Sequence, residues 1–61
     1  MSRASELQRR CDNIRMQLDF FRTSDPDRYR YTLRQLEILI SLTHNRRKRA
    51  AFQNVLNEYS K

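Results

Sequence analysis

The stretch T-H-N-R-R-K-R-A-A-F, Thr43 to Phe52, decides how this 61-residue chain folds. It contains neither Gly nor Pro, and Arg, Lys and Ala are good helix formers. Propensity therefore favours a helix that starts at Pro26 and runs unbroken to about residue 60, roughly 50 Å long. The rival is a break at Thr43 to Asn45. Thr, His and Asn are weak helix formers, Asn tolerates a left-handed C-cap, and either Thr or Asn can cap a third helix. In both readings Arg46, Arg47, Lys48 and Arg49 sit on a helix.

Upstream, Ala4, Leu7, Cys11, Ile14, Leu18 and Phe21 recur at alternating steps of three and four, one face of a helix over about residues 3–22. Ser2 or Ser5 can cap it. Its other face offers the pairs Glu6 to Arg10, Arg15 to Asp19 and Asp19 to Arg22, each worth a few tenths of a kcal/mol at ~0.2–0.5. Pro26 forces Asp25 away from helical dihedrals and is itself welcome at a first helical position, so the turn falls at residues 23–25. Asp25 as N-cap and Asp27 in the first turn complete the start signal for a second helix. So short a connection predicts an antiparallel helical hairpin.

The second helix carries two stripes. Tyr29, Leu33, Leu36 and Ile40 match the first helix and should pack on it. The second stripe starts at Tyr31 and passes through Gln35, Ile38, Leu42, Asn45, Arg49, Phe52, Leu56 and Tyr59. At 100° per residue it lies roughly opposite the first. If the helix is straight, nothing within one chain covers this stripe. A homodimer through Ile38, Leu42, Phe52, Leu56 and Tyr59, closing a helical bundle, is the expectation. Asn45 then either fixes register on the seam or caps a break.

Composition agrees with an all-α fold. Leu, Ile, Val and Phe supply 14 of 61 residues, enough to fold, and a chain with no Gly and one Pro lacks hairpin turn chemistry. A chain this short hides about 60% of its unfolded surface, so help from a partner is expected. The single Cys11 and single His44 allow neither an intrachain disulfide nor a four-ligand zinc site within one chain. No apolar run reaches membrane-spanning length and the first ten residues carry charge where a signal peptide needs an apolar run, which predicts a cytoplasmic protein, nuclear in a eukaryote, without a membrane role.

The net charge is +6, with 13 Lys and Arg against 7 Asp and Glu, and the excess is concentrated after Thr43. Four adjacent cations on a helix fan around its circumference, so two or three can face one phosphate backbone. The expected partner is nucleic acid, DNA ahead of RNA, or else an acidic protein surface, contacted by Arg46, Arg47, Lys48, Arg49 and Asn45. His44 and Gln53 are further side chains able to bond base edges. Met16 and Phe20, beside the first stripe, form a second candidate patch suited to docking on a larger protein, which is the alternative role of adaptor or inhibitor.

No catalytic set emerges. Cys11 lies within an apolar stripe, where a thiol is a small inert hydrophobe, and His44 has no spaced carboxylate or Cys. The carboxylates are accounted for as caps and surface pairs. The reading is a non-enzymatic regulatory protein without cofactor, metal or small-molecule substrate.

Overall fold

The structure is a computed structural model and describes residues 5–60. Among these residues it is all-helical, with three helices: α1, Glu6–Ser24; α2, Pro26–Leu42; and α3, Arg46–Tyr59. Each helix packs against the other two. Ala4 and Ser2, assigned above to the first stripe and the first cap, lie outside the described residues.

The helix starts follow the sequence signals. Ser5 caps α1, its hydroxyl accepting from the Gln8 amide at 3.0 Å. Asp25 is the single residue between α1 and α2, and its carboxylate accepts from the Arg28 amide at 3.2 Å while Pro26 opens α2. The turn is shorter than residues 23–25, because the Asp25 amide still donates to the Phe21 carbonyl at 2.9 Å and α1 continues through Ser24.

The decisive difference is at Thr43 to Asn45. A straight helix from Pro26 does not form; α2 stops at Leu42, and α3 starts at Arg46. Thr43 and Asn45 are extended, with ψ of 121° and 118°. Some of the orphan groups at both new ends are met locally. The Thr43 hydroxyl donates to the Leu39 carbonyl at 2.6 Å, the Thr43 amide to Ile40 at 3.2 Å, and Asn45 Oδ1 accepts from the Lys48 amide at 3.1 Å. With those bonds made, the break costs little.

What the break gains is burial. Phe52 and Val55 on α3 are 2% and 0% exposed and join Cys11, Leu18, Leu36 and Ile40 in the core. Leu56, Tyr59 and Ala51 pack half-buried around it, as do Leu7, Ile14, Tyr29, Leu33 and Leu39. A side chain the size of Phe or Val contributes about 1.5–3 kcal/mol when it leaves water, more than the few tenths by which Thr, His and Asn disfavour or favour a helix. Tertiary packing outweighs propensity here.

Three of the five expected dimer contacts are thereby reassigned. Phe52, Leu56 and Tyr59 cover α1 and α2 from within the same chain, so most of the apolar surplus that argued for a second molecule is absorbed. Tyr31, Ile38 and Leu42 remain exposed on α2, at 61%, 41% and 69%.

Polar contacts fix how α3 sits. Arg15 on α1 forms a fork with Glu58, Nε to Oε1 at 3.1 Å and Nη2 to Oε2 at 2.9 Å. The Tyr59 hydroxyl donates to Asp19 at 2.7 Å, and the Tyr29 hydroxyl donates to the Tyr59 carbonyl at 3.1 Å. Arg15 and Asp19 were expected to pair with each other along α1. They reach across to α3 instead, and Arg15 keeps only a long local contact to Asp12, at 3.5 Å.

Candidate nucleic-acid interface

The first turn of α3 concentrates the charge. Arg46, Arg47, Lys48 and Arg49 are all exposed, and none takes part in an ion pair among the described residues. No acidic residue sits in that turn. The N-terminal end of a helix carries a partial positive charge, where anions are favoured by about 0.3–1 kcal/mol each and cations are correspondingly disfavoured. Four cations stacked there raise a local potential that the fold does not neutralise. An anion placed against this turn would be met by side-chain charge and helix dipole together.

Asn45 is the N-cap of this helix rather than a free reader. Its Oδ1 accepts from the Lys48 amide, so it positions the cationic turn and keeps its amide hydrogens for a ligand. His44 is exposed in the connection before it.

Further along α3 several exposed positions share one face. Relative to Arg46, Arg49, Ala50, Gln53 and Asn57 lie within about 60° on a wheel of 100° per residue, while Phe52 and Val55 point the other way into the core. Gln53 Nε2 donates to Asn57 Oδ1 at 3.1 Å, linking the two amides. Arg46, Arg49, Ala50 and Gln53 also line a shallow groove against Ile40 of α2. The one carboxylate of α3, Glu58, lies on the flank that meets α1, where Arg15 holds it. The outward face therefore carries cations and amides and no acid.

Asn57 and Val55 were not singled out from the sequence. A signal existed for both: 46, 49, 53 and 57 share a helical phase, as do 52, 55, 56 and 59. That phase is legible only once α3 is taken as a separate helix, because the strict seam drawn through Asn45 and Arg49 hides it.

The second candidate patch is separate. Met16 and Phe20 are 68% and 66% exposed, one turn apart on the side of α1 away from the core. Phe20 meets Phe21 edge to face, with centroids 5.5 Å apart, and Arg28 lies over the Phe21 ring at 5.8 Å. These residues are not brought near the cations of α3.

Cys11 is buried, and that burial pushes its thiol pKa up, away from the thiolate that chemistry would need. Among the described residues no group of His, Cys, Asp and Glu is placed to hold a metal ion, and no helix is long and apolar enough to cross a membrane. No protein-family model, curated protein or solved structure matches the chain.

Proposed function

We propose that this chain is a non-enzymatic regulatory protein that binds nucleic acid through the start of α3. In this reading α1 and α2 form an antiparallel hairpin that serves as scaffold, and α3 is the helix presented to the ligand. The observation that carries it is the set of four exposed cations at the positive end of a helix, Arg46, Arg47, Lys48 and Arg49, none in an ion pair among the described residues. Such a turn recognises phosphates through counterion release, which gives affinity that falls steeply with salt.

The functional unit in this reading is a homodimer, now built on α2 alone. Tyr31, Gln35, Ile38 and Leu42 recur at steps of four, three and four on its outward face. Two such helices laid antiparallel set Tyr31 opposite Leu42 of the second copy and Gln35 opposite its Ile38, and the pattern is the same read from either chain. A stripe complementary to itself fits an isologous contact. Dimerisation would double the number of phosphates engaged.

The test is a titration of labelled duplex DNA and RNA at two salt concentrations. The log–log slope expected is about −3 to −6, at −0.9 per phosphate neutralised. Replacing Arg46, Arg47 and Arg49 with Gln should flatten it by about one unit per residue without loss of helicity. Absence of binding at low salt would remove the reading.

A second reading rests on the separate exposure of Met16 and Phe20, residue types enriched at protein interfaces. There the chain is an adaptor or inhibitor docked on a larger protein. Capture of one defined partner that survives nuclease and the three Arg to Gln changes, but not Phe20→Ser, would favour it.

A further inference from the structure

Resting on the nucleic-acid reading, we infer that the outward face of α3 enters the major groove of duplex DNA and selects base sequence with Gln53 and Asn57. The two amides are joined by the Gln53 Nε2 to Asn57 Oδ1 hydrogen bond of 3.1 Å, and both are exposed. That bond orients them, leaving Gln53 Oε1 as an acceptor and Asn57 Nδ2 as a donor at the two ends of the linked amides. An adenine edge in the major groove offers the complementary pair, an N6 donor and an N7 acceptor.

The rest of the face suits the same groove. Arg46 and Arg49 lie two turns and one turn before Gln53, placed for guanine edges or phosphates, and Ala50, between Arg49 and Gln53, adds no bulk where the backbone must approach. A helix with its side chains is about 10–12 Å across and the major groove about 12 Å wide. From Arg46 to Asn57 the face runs about 17 Å, enough to span several base pairs. Glu58, the one acid on the helix, is turned toward α1 and held by Arg15 at 2.9 Å, so no carboxylate faces the phosphates from this surface. An acidic protein surface would use the cations and leave this amide pair idle. The deep, narrow major groove of A-form RNA would exclude the helix.

Selection from a random duplex library by the full chain, followed by affinity measurements on the selected and a scrambled duplex, tests this. The expected result is an enriched motif of a few base pairs containing adenine. Gln53→Ala and Asn57→Ala should each reduce the selected-to-scrambled ratio by about five-fold or more, with the salt slope on scrambled DNA unchanged. Both sites are exposed and Ala favours helix, so circular dichroism should show the fold intact. Salt-dependent binding with no enriched motif, or a preference that survives both substitutions, overturns the inference and leaves the phosphate-binding role standing. Binding confined to RNA overturns it as well. Failure of the unmodified chain to bind any duplex removes both.

Discussion

Arg15 and Glu58, 43 positions apart, meet in a two-pronged contact that ties the middle of α1 to the last turn of α3. The hydrogen bond to Glu58 raises the already high pKa of the Arg15 guanidinium, which stays charged throughout the usual pH range. Both side chains remain partly wet, at 32% and 49% exposure, and water screens their attraction. Exposed pairs typically contribute ~0–1 kcal/mol, so a double-mutant cycle with Arg15→Gln and Glu58→Gln in urea should give a coupling below about 1 kcal/mol. A coupling of several kcal/mol would mean that this contact, rather than Phe52 and Val55, holds α3 in place.

Tyr59 adds a pH dependence. Its hydroxyl is pushed up to about 12, first by burial and then by its hydrogen bond to the Asp19 carboxylate. In the unfolded chain the phenol loses its proton near its ordinary value of about 10, while in the folded chain it keeps it. Between those values the folded state binds more protons, so stability falls as pH rises. The contribution is whole below about pH 10 and declines toward pH 12. Tyr59→Phe should lower the melting temperature at pH 8 and lose that deficit by pH 12. A constant difference across this range would show that the Asp19 contact does not act through the proton.

How much of this was legible beforehand depends on range. Capping by Ser5 and Asp25, Pro26 at the start of α2 and the apolar stripes of the first two helices are local signals, and they appear where the spacing puts them. The break was one of two readings of Thr43 to Asn45, and local propensity leaned to the other. What decided it was the burial available to Phe52 and Val55, which no window around residue 44 contains. The same holds for Arg15 and Asp19, whose local partners were plausible and whose actual ones are 43 and 40 residues distant. Of the cationic cluster, identity and helical setting could be read directly. The role of Asn45 as its cap, and the phase joining Arg46 to Asn57, depend on where α3 begins.

Reassigning Phe52 from a dimer seam to the core changes what substitutions should do. Phe52→Ala empties the centre of the molecule, and such truncations cost about 3–5 kcal/mol, comparable to the whole stability of so small a domain. The variant should lack a cooperative thermal transition. Leu42→Asp touches a residue that is 69% exposed and should leave the transition within about 0.5 kcal/mol of its original stability at low concentration, while, under the proposed dimer, reducing the sedimentation mass from about twice 7.5 kDa to one copy. If Leu42→Asp instead unfolds the chain at every concentration, α2 has no folded state apart from its partner.

Cys11 provides a probe of the same core. It is 5% exposed, and burial raises its pKa, so both access and thiolate fraction are low. Reaction with a disulfide reagent at pH 8 should be far slower than in the denatured chain, and its rate should follow the unfolding equilibrium across a urea series. Rapid labelling in the absence of urea would show that α3 leaves α1 without global unfolding. Glu58→Gln or Tyr59→Phe should then accelerate it.

Asn45 couples stability to binding in opposite directions. Asn45→Ala removes the acceptor for the Lys48 amide and should cost about 1 kcal/mol, within the 0.5–2 seen for lost N-caps. Asn45→Asp keeps the acceptor and adds a negative charge beside the helix dipole and the four cations that follow, so it should stabilise the fold by about 0.3–1 kcal/mol. That added carboxylate also partly neutralises the turn that phosphates would occupy. Nucleic-acid affinity of Asn45→Asp should therefore fall at low salt while its melting temperature rises, and the affinity gap should narrow as salt screens both effects. A variant that gained stability and affinity together would place the ligand elsewhere than the start of α3.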